Sequence, residues 1–90
     1  NSDVFVRIGG EEFIIILPNC PLEQGIKFAE RIRKAIEGID VVYKDTQICV
    51  TISIGVTEYV RGQDLNQFMD RADYALYCAK KSGRNTVVAI

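Results

Sequence analysis

The chain contains no histidine and no tryptophan, and only three cysteines, Cys20, Cys49 and Cys78, which stand far apart. Without histidine there can be no Ser-His or Cys-His hydrolytic pair, and no G-x-S-x-G stretch supplies a nucleophile elbow. The cysteines have no C-x-x-C spacing and no imidazole to complete a zinc site, so they read as reduced cytosolic thiols. No apolar run approaches the roughly 18 residues of a membrane span. No signal-peptide pattern precedes the first strand-like segment, and a soluble, cytoplasmic domain without membrane contact is expected. Charge of neither sign dominates: 11 basic residues against 12 acidic ones leave a net charge of -1. That balance offers no long-range attraction to nucleic acid, so any phosphate binding has to come from a local basic cluster.

Ninety residues, 48% of them hydrophobic, are enough for one domain with a modest core and leave no room for a second module. The stretch hardest to explain by packing is Arg7-Ile8-Gly9-Gly10-Glu11-Glu12-Phe13, between the apolar runs Val4-Phe5-Val6 and Ile14-Ile15-Ile16-Leu17. Two strand-like runs joined by Gly-Gly predict a hairpin, with both glycines free to take positive φ. Two carboxylates follow directly, where bare backbone lets a ligand approach and oxygen donors can hold a hard cation.

The rest of the chain alternates helix and strand patterns. Phe13 to Leu17 is apolar without alternation, the mark of a strand covered on both faces. Pro21 suits the first position of a helix running to Glu37, with Leu22, Ile26, Ala29, Ile32 and Ile36 as its buried stripe, Lys27, Arg31 and Lys34 as a basic line beside it, and Gly38 as its C-cap. Ile39 to Tyr43 and Thr46 to Val56 predict two strands. In the second, Val50, Ile52, Ile54 and Val56 face helices, while Thr51, Ser53 and Gly55 leave space for another element or a ligand. Asp64, with Gln67 three residues on, predicts a capped helix to about Ser82. Its buried face is Leu65, Phe68, Met69, Ala72, Ala75, Leu76 and Ala79, with Gly83 left-handed after its end. A last strand covers Thr86 to Ile90.

Gly9-Gly10-Glu11-Glu12-Phe13 resembles the signature of the GGDEF family, the diguanylate cyclases, in its GGEEF form. Val50 to Val56, Arg71 to Lys80 and Ser82-Gly83-Arg84-Asn85 agree with the family in order and spacing. The resemblance covers the whole chain but only the C-terminal half or so of such a domain. It implies an α/β (α+β) fold with an antiparallel sheet flanked by helices, like the palm of nucleotidyl cyclases and polymerases. It also implies an activity: two GTP-loaded domains meet as a homodimer and form 3′,5′-cyclic di-GMP with release of pyrophosphate, normally under an attached sensory module.

The same resemblance implies roles residue by residue. Glu11 would ligate Mg²⁺ or Mn²⁺ and help deprotonate the attacking 3′-hydroxyl. Glu12 is either a second ligand or a partner for a nearby base. Gly9 and Gly10 serve the hairpin and the approach of the nucleotide alike. Lys80 and Arg84 fall where the family contacts the triphosphate, although a lysine near a helix C-terminus is favourable in its own right. Asp73 reads as an intramolecular partner for Arg71 or Lys80. Asp3 stands at the last position of the inhibitory RxxD site, whose arginine would precede residue 1. Lys27 and Arg31 fall where product binding is completed, or else form a solvated basic face.

The family's second metal-binding carboxylate, its guanine-reading residues and its central first strand all lie upstream of the hairpin. This chain is therefore expected to lack the sheet's middle neighbour and to be inactive alone. Two other readings stay open: a non-catalytic module that binds GTP or cyclic di-GMP, and a half-domain that completes its sheet by association.

Overall fold

Strands form where β-branched residues cluster, and the longest such pairing organises the molecule. The computed structural model describes residues 3–9, 13–59 and 62–90. Strand β1 (Val4–Ile8) pairs antiparallel with β2 (Phe13–Leu17) on one side and with β5 (Ile54–Glu58) on the other. Strand β6 (Val87–Ala89) pairs parallel to β5, giving the order β2-β1-β5-β6. The fold is α+β as expected, with one parallel pair in the otherwise antiparallel sheet. Helix α2 (Leu65–Lys81) connects β5 to β6, and a helical crossover is what a parallel connection requires.

Helix α1 (Leu22–Glu37) and α2 cover opposite faces. Val4, Val6 and Ile8 of β1 join Ile54, Val56 and Ala29 in the core beneath α1, with Leu22, Ile26 and Ile32 packed on it. Each large aliphatic side chain buried there contributes roughly 1.5–3 kcal/mol. On the other face Phe5 packs with Phe68 and Ala72. The Phe68 ring stands edge-on to Phe5 at 5.0 Å and to Tyr59 at 5.4 Å, the arrangement the ring quadrupoles favour.

The helix ends follow their sequence signals. Asp64 and Gln67 form a reciprocal capping box on α2. Pro21 sits one position earlier than expected, as the N-cap of α1, and the Leu22 N–H is accepted by a Glu58 carboxylate oxygen at 3.3 Å. Gly38 caps α1 in a right-handed conformation, and Gly83 has φ of 111°.

Several expectations need correction. Strand β2 is covered on one face only: Ile15 and Leu17 reach the core, whereas Ile14 and Ile16 on the other face are exposed, because α2 packs on β1 and β5; Phe13, on the same face as Ile15, is exposed at the end of the strand. The described strands have no central gap, since β1 and β5 are each bonded on both sides; the edges are β2 and β6. The long strand over 46–56 is two elements. Strand β4 (Thr46–Ile48) pairs with β3 (Val41–Tyr43) in a separate hairpin, turning at Lys44 and Asp45 with φ of 50° and 64°. Because β4 belongs to that hairpin, the chain needs residues 49–53 to enter the main sheet. Leu65 is exposed, as the first helical residue precedes the contact with the sheet.

The tightest contact is between Gly55 and α2. A Cβ at Gly55 would lie 2.3 Å from the Leu76 nitrogen and 2.7 Å from the Ala72 carbonyl oxygen. Backbone cannot swing aside as a side-chain end can. Gly55→Ala should therefore destabilise the fold by about 3 kcal/mol or more, while Gly38→Ala, whose nearest atom is 3.4 Å away, should cost under about 1 kcal/mol. Urea denaturation of both variants measures the contrast.

Candidate phosphate-binding site

The end of β1, the last turn of α2 and the segment entering β5 meet at one corner. The Gly9 N–H donates to the Ser53 carbonyl at 3.0 Å, fixing the start of the glycine segment against the residues before β5. Lys80 runs across Gly9: a Cβ there would lie 2.8 Å from Lys80 Cε, 3.2 Å from its Nζ and 3.1 Å from Leu76 Cδ1. Gly9 does not take positive φ, contrary to the turn expectation. Its missing side chain is explained instead by the passage of Lys80.

Beyond α2 the chain reverses through Gly83, Arg84 and Asn85, with φ of 111°, 65° and 48°. For a residue such as arginine the left-handed conformation costs roughly 1–2 kcal/mol. Part of the compensation is local, since the Arg84 N–H donates to the Ala79 carbonyl at 3.2 Å. This reversal brings Arg84 back beside Lys80. Together Gly9, Thr51, Ser53, Lys80 and Arg84 line a cavity of about 70 Å³. That exceeds the space of one water and falls far short of a whole-ligand pocket. Among the described residues neither Lys80 nor Arg84 has a carboxylate partner. Two uncompensated cations, two hydroxyl-bearing residues and one bare backbone segment suit a phosphoryl group.

A second cleft opens on the other side of Lys80, lined by Arg7, Asp73, Leu76, Tyr77 and Lys80. Arg7 Nε lies 3.1 Å from Asp73 Oδ1. Asp73 thus pairs across the helix–sheet interface rather than with Arg71 or Lys80. Residues two apart on a helix do not face each other, and Arg71 donates instead to the carbonyls of Glu58 and Ile90.

The remaining expected site residues divide. Gly10, Glu11 and Glu12 lie outside the described residues. Asp3 is engaged structurally: its carboxylate accepts from the Asn19 N–H at 3.0 Å, holding a turn in which Asn19 has φ of 52°. Lys27 and Arg31 are exposed and line a shallow groove on α1 with Gln24, Glu30 and Lys34; Asp3 is not part of that lining. Behind the groove, Arg33 pairs with Glu30 and Glu37. The hydrogen bond from Arg33, reinforced by its charge, holds the Glu30 carboxyl below its ordinary range against the opposing pull of desolvation. With the folded value depressed, the pair helps the fold above the usual glutamate range and stops helping as the pH falls through the lowered value.

Sequence reasoning gave no site role to Arg7 or Asn85, and took Thr51 and Ser53 only as small residues leaving space. The available signal was their polarity: an arginine inside an apolar strand, and two hydroxyls on one face of a β-rich run.

The fold and this corner define an α+β domain with a phosphate-sized basic pocket between a glycine-led hairpin and a helix end. The chain belongs to the GGDEF family: the family model "Diguanylate cyclase, GGDEF domain" matches residues 1–86. It is 44% identical over 88 residues to diguanylate cyclase A of Treponema denticola, covering 97% of this chain and 24% of that protein. To diguanylate cyclase DgcP of Pseudomonas aeruginosa it is 38% identical over 84 residues, covering 93% of this chain and 12% of that protein. The chain thus spans a quarter or less of these relatives. Among solved structures, the GGDEF domain of DgcB from Caulobacter crescentus in complex with c-di-GMP superposes with a TM-score of 0.91 at 21% identity, over 98% of this chain and 77% of that one. The active GGEEF domain of a Vibrio cholerae diguanylate cyclase gives 0.80 at 24% identity, over 98% and 81%. At these identities the structures establish the shared fold.

Because the atoms nearest a side chain at Gly9 are the far ends of Lys80 and Leu76 and not backbone, Gly9→Ala should lower the thermal midpoint only slightly. It should displace the amine and weaken binding of inorganic triphosphate to the full-length protein about 10-fold, or about 1.4 kcal/mol, as read by titration calorimetry.

Proposed function

We propose that this chain forms the hairpin and phosphate walls of a diguanylate cyclase domain, which condenses two GTP into 3′,5′-cyclic di-GMP with release of two pyrophosphates. The observation that carries the reading is the pocket of Lys80 and Arg84 against Gly9, where the GGEEF segment begins. Family membership and the curated cyclases among its relatives support the same activity.

Lys80 and Arg84 hold the triphosphate of the bound GTP, and the bare backbone at Gly9 lets it approach. Glu11 accepts the proton from the 3′-hydroxyl oxygen. That oxygen bonds to the α-phosphorus of the second GTP as the bond to pyrophosphate breaks. One domain holds one GTP, so the reaction needs two domains face to face, and the protein works as a homodimer.

The donor set fits a hard cation, since Glu11 and Glu12 offer only oxygen ligands. These two residues would hold Mg²⁺ or Mn²⁺, and the bound ion supplies charge neutralisation on the phosphoryl oxygens. Among the described residues no three acidic or cysteine side chains converge. Lys27 and Arg31 provide a basic face for feedback binding of cyclic di-GMP, with Asp3 contributing from the turn it holds through Asn19. A sensory module elsewhere in the polypeptide would set the activity. No helix among the described residues is long and apolar enough to cross a membrane. The proposed reaction draws on GTP, so the domain would act in the cytoplasm.

In the full-length protein with GTP and Mg²⁺, chromatography should detect cyclic di-GMP, and Glu11→Gln should lower the rate at least about 100-fold with an unchanged thermal midpoint. A near-wild-type rate in that variant would remove Glu11 from the mechanism, and GTP binding without turnover by the wild type would mark a sensing module instead. The 90-residue chain alone should form no product.

A further inference from the structure

We infer that Asn85 is a positioning residue for Arg84, holding the phosphate-binding reversal by tying it to α1 and to Ser53. The inference rests on the phosphate reading of the same pocket. The Asn85 side chain uses both ends: its Oδ1 accepts from Arg33 Nη1 at 2.9 Å, and its Nδ2 donates to a Glu37 carboxylate oxygen. Arg33 is itself held by Glu30, its Nε donating to Glu30 Oε1 at 2.8 Å, so the anchor on α1 is a connected set of charged groups. The Asn85 backbone N–H donates to Ser53 Oγ at 3.2 Å, while the Ser53 carbonyl receives the Gly9 N–H.

Asn85 therefore joins three parts of the fold at the residue next to Arg84. Its partners fix the reversal from two directions, the C-terminal half of α1 and the segment before β5. Such a tie offsets a backbone cost: Arg84 and Asn85 both carry positive φ, which non-glycine residues adopt rarely. Asparagine is the side chain suited to the place: it tolerates the left-handed region, and its amide supplies one acceptor for arginine and one donor for glutamate. Aspartate would meet Glu37 with like charge. Neither end of Asn85 reaches into the phosphate cavity, whose lining contains Arg84 and not Asn85, so its effect on a ligand runs through Arg84.

A double-mutant cycle on the full-length protein tests this, with inorganic triphosphate as the probe in titration calorimetry. Asn85→Ala should weaken binding about 10-fold in the wild-type background, about 1.4 kcal/mol, and less than about 2-fold in an Arg84→Ala background, because the two act as one unit. Asn85→Gly, which keeps positive φ at no steric cost and protects against a folding failure, should lose affinity as Asn85→Ala does. Equal losses in both backgrounds, or wild-type affinity in Asn85→Gly, would overturn the assignment. So would a wild-type protein that binds no triphosphate. A protein that shows the coupling yet makes no cyclic di-GMP would leave Asn85 in its role and remove the cyclase reading alone.

Discussion

The contact on which the molecule depends is the one between the bare backbone of Gly55 and the middle of α2. Ordinary side chains hold a helix off the strand it packs on, and here the absence of one Cβ lets Leu76 and Ala72 backbone atoms touch the strand. The small residues Ala72, Ala75 and Ala79 are all buried on that face, so the close approach runs along the helix. Depth at Gly55 then sets the height of everything C-terminal to it. Lys80, one turn past Leu76, arrives low enough to cross Gly9. The packing of α2 and the shape of the pocket thus share one constraint, and the second glycine is needed because of the first.

Legibility in the sequence followed the same division between local and non-local causes. Both helices, the hairpin strands and the last strand were readable because their signals are periodic or terminal: the stripe from Leu22 to Ile36, the Asp64–Gln67 box and Gly83. Strand β2 was misread because an unbroken apolar run records that a strand avoids water without saying what covers it. Ile16 is as apolar as Ile15 but faces away from the core. The break between β4 and β5 was invisible for a similar reason, since Val50 and Ile52 keep the alternation through residues that leave one sheet and enter another.

The site was half legible. Lys80, Arg84 and Gly9 came from resemblance and proved to share one cavity. Asn85 and Ser53 were on view in the sequence, yet their hydrogen bonds span 52 and 32 residues respectively, and no local pattern encodes a partner that distant. Asp73 shows the opposite error. Its near neighbours on the helix offered a plausible pairing, and the sheet supplied a better-placed arginine.

The position of the pocket at the end of α2 raises an electrostatic difficulty that the turn resolves. Anions are favoured at helix N-termini, where free N–H groups and the dipole point at them, and disfavoured at C-termini. The last carbonyls of α2 would present negative charge to any phosphate nearby. Two of them are engaged: the Cys78 carbonyl accepts from both the N–H and the hydroxyl of Ser82, at 2.9 and 2.7 Å, and the Ala79 carbonyl accepts from the Arg84 N–H. Occupying those lone pairs blunts the unfavourable end of the helix, and the same turn that does so delivers the Arg84 side chain. Lys80 is favoured at this end of the dipole before any ligand arrives, so the helix stabilises a cation at the rim of this pocket. A chain of net charge -1 thereby concentrates positive potential at one corner, with α2, its capping turn and Asn85 behind it each contributing a distinct part.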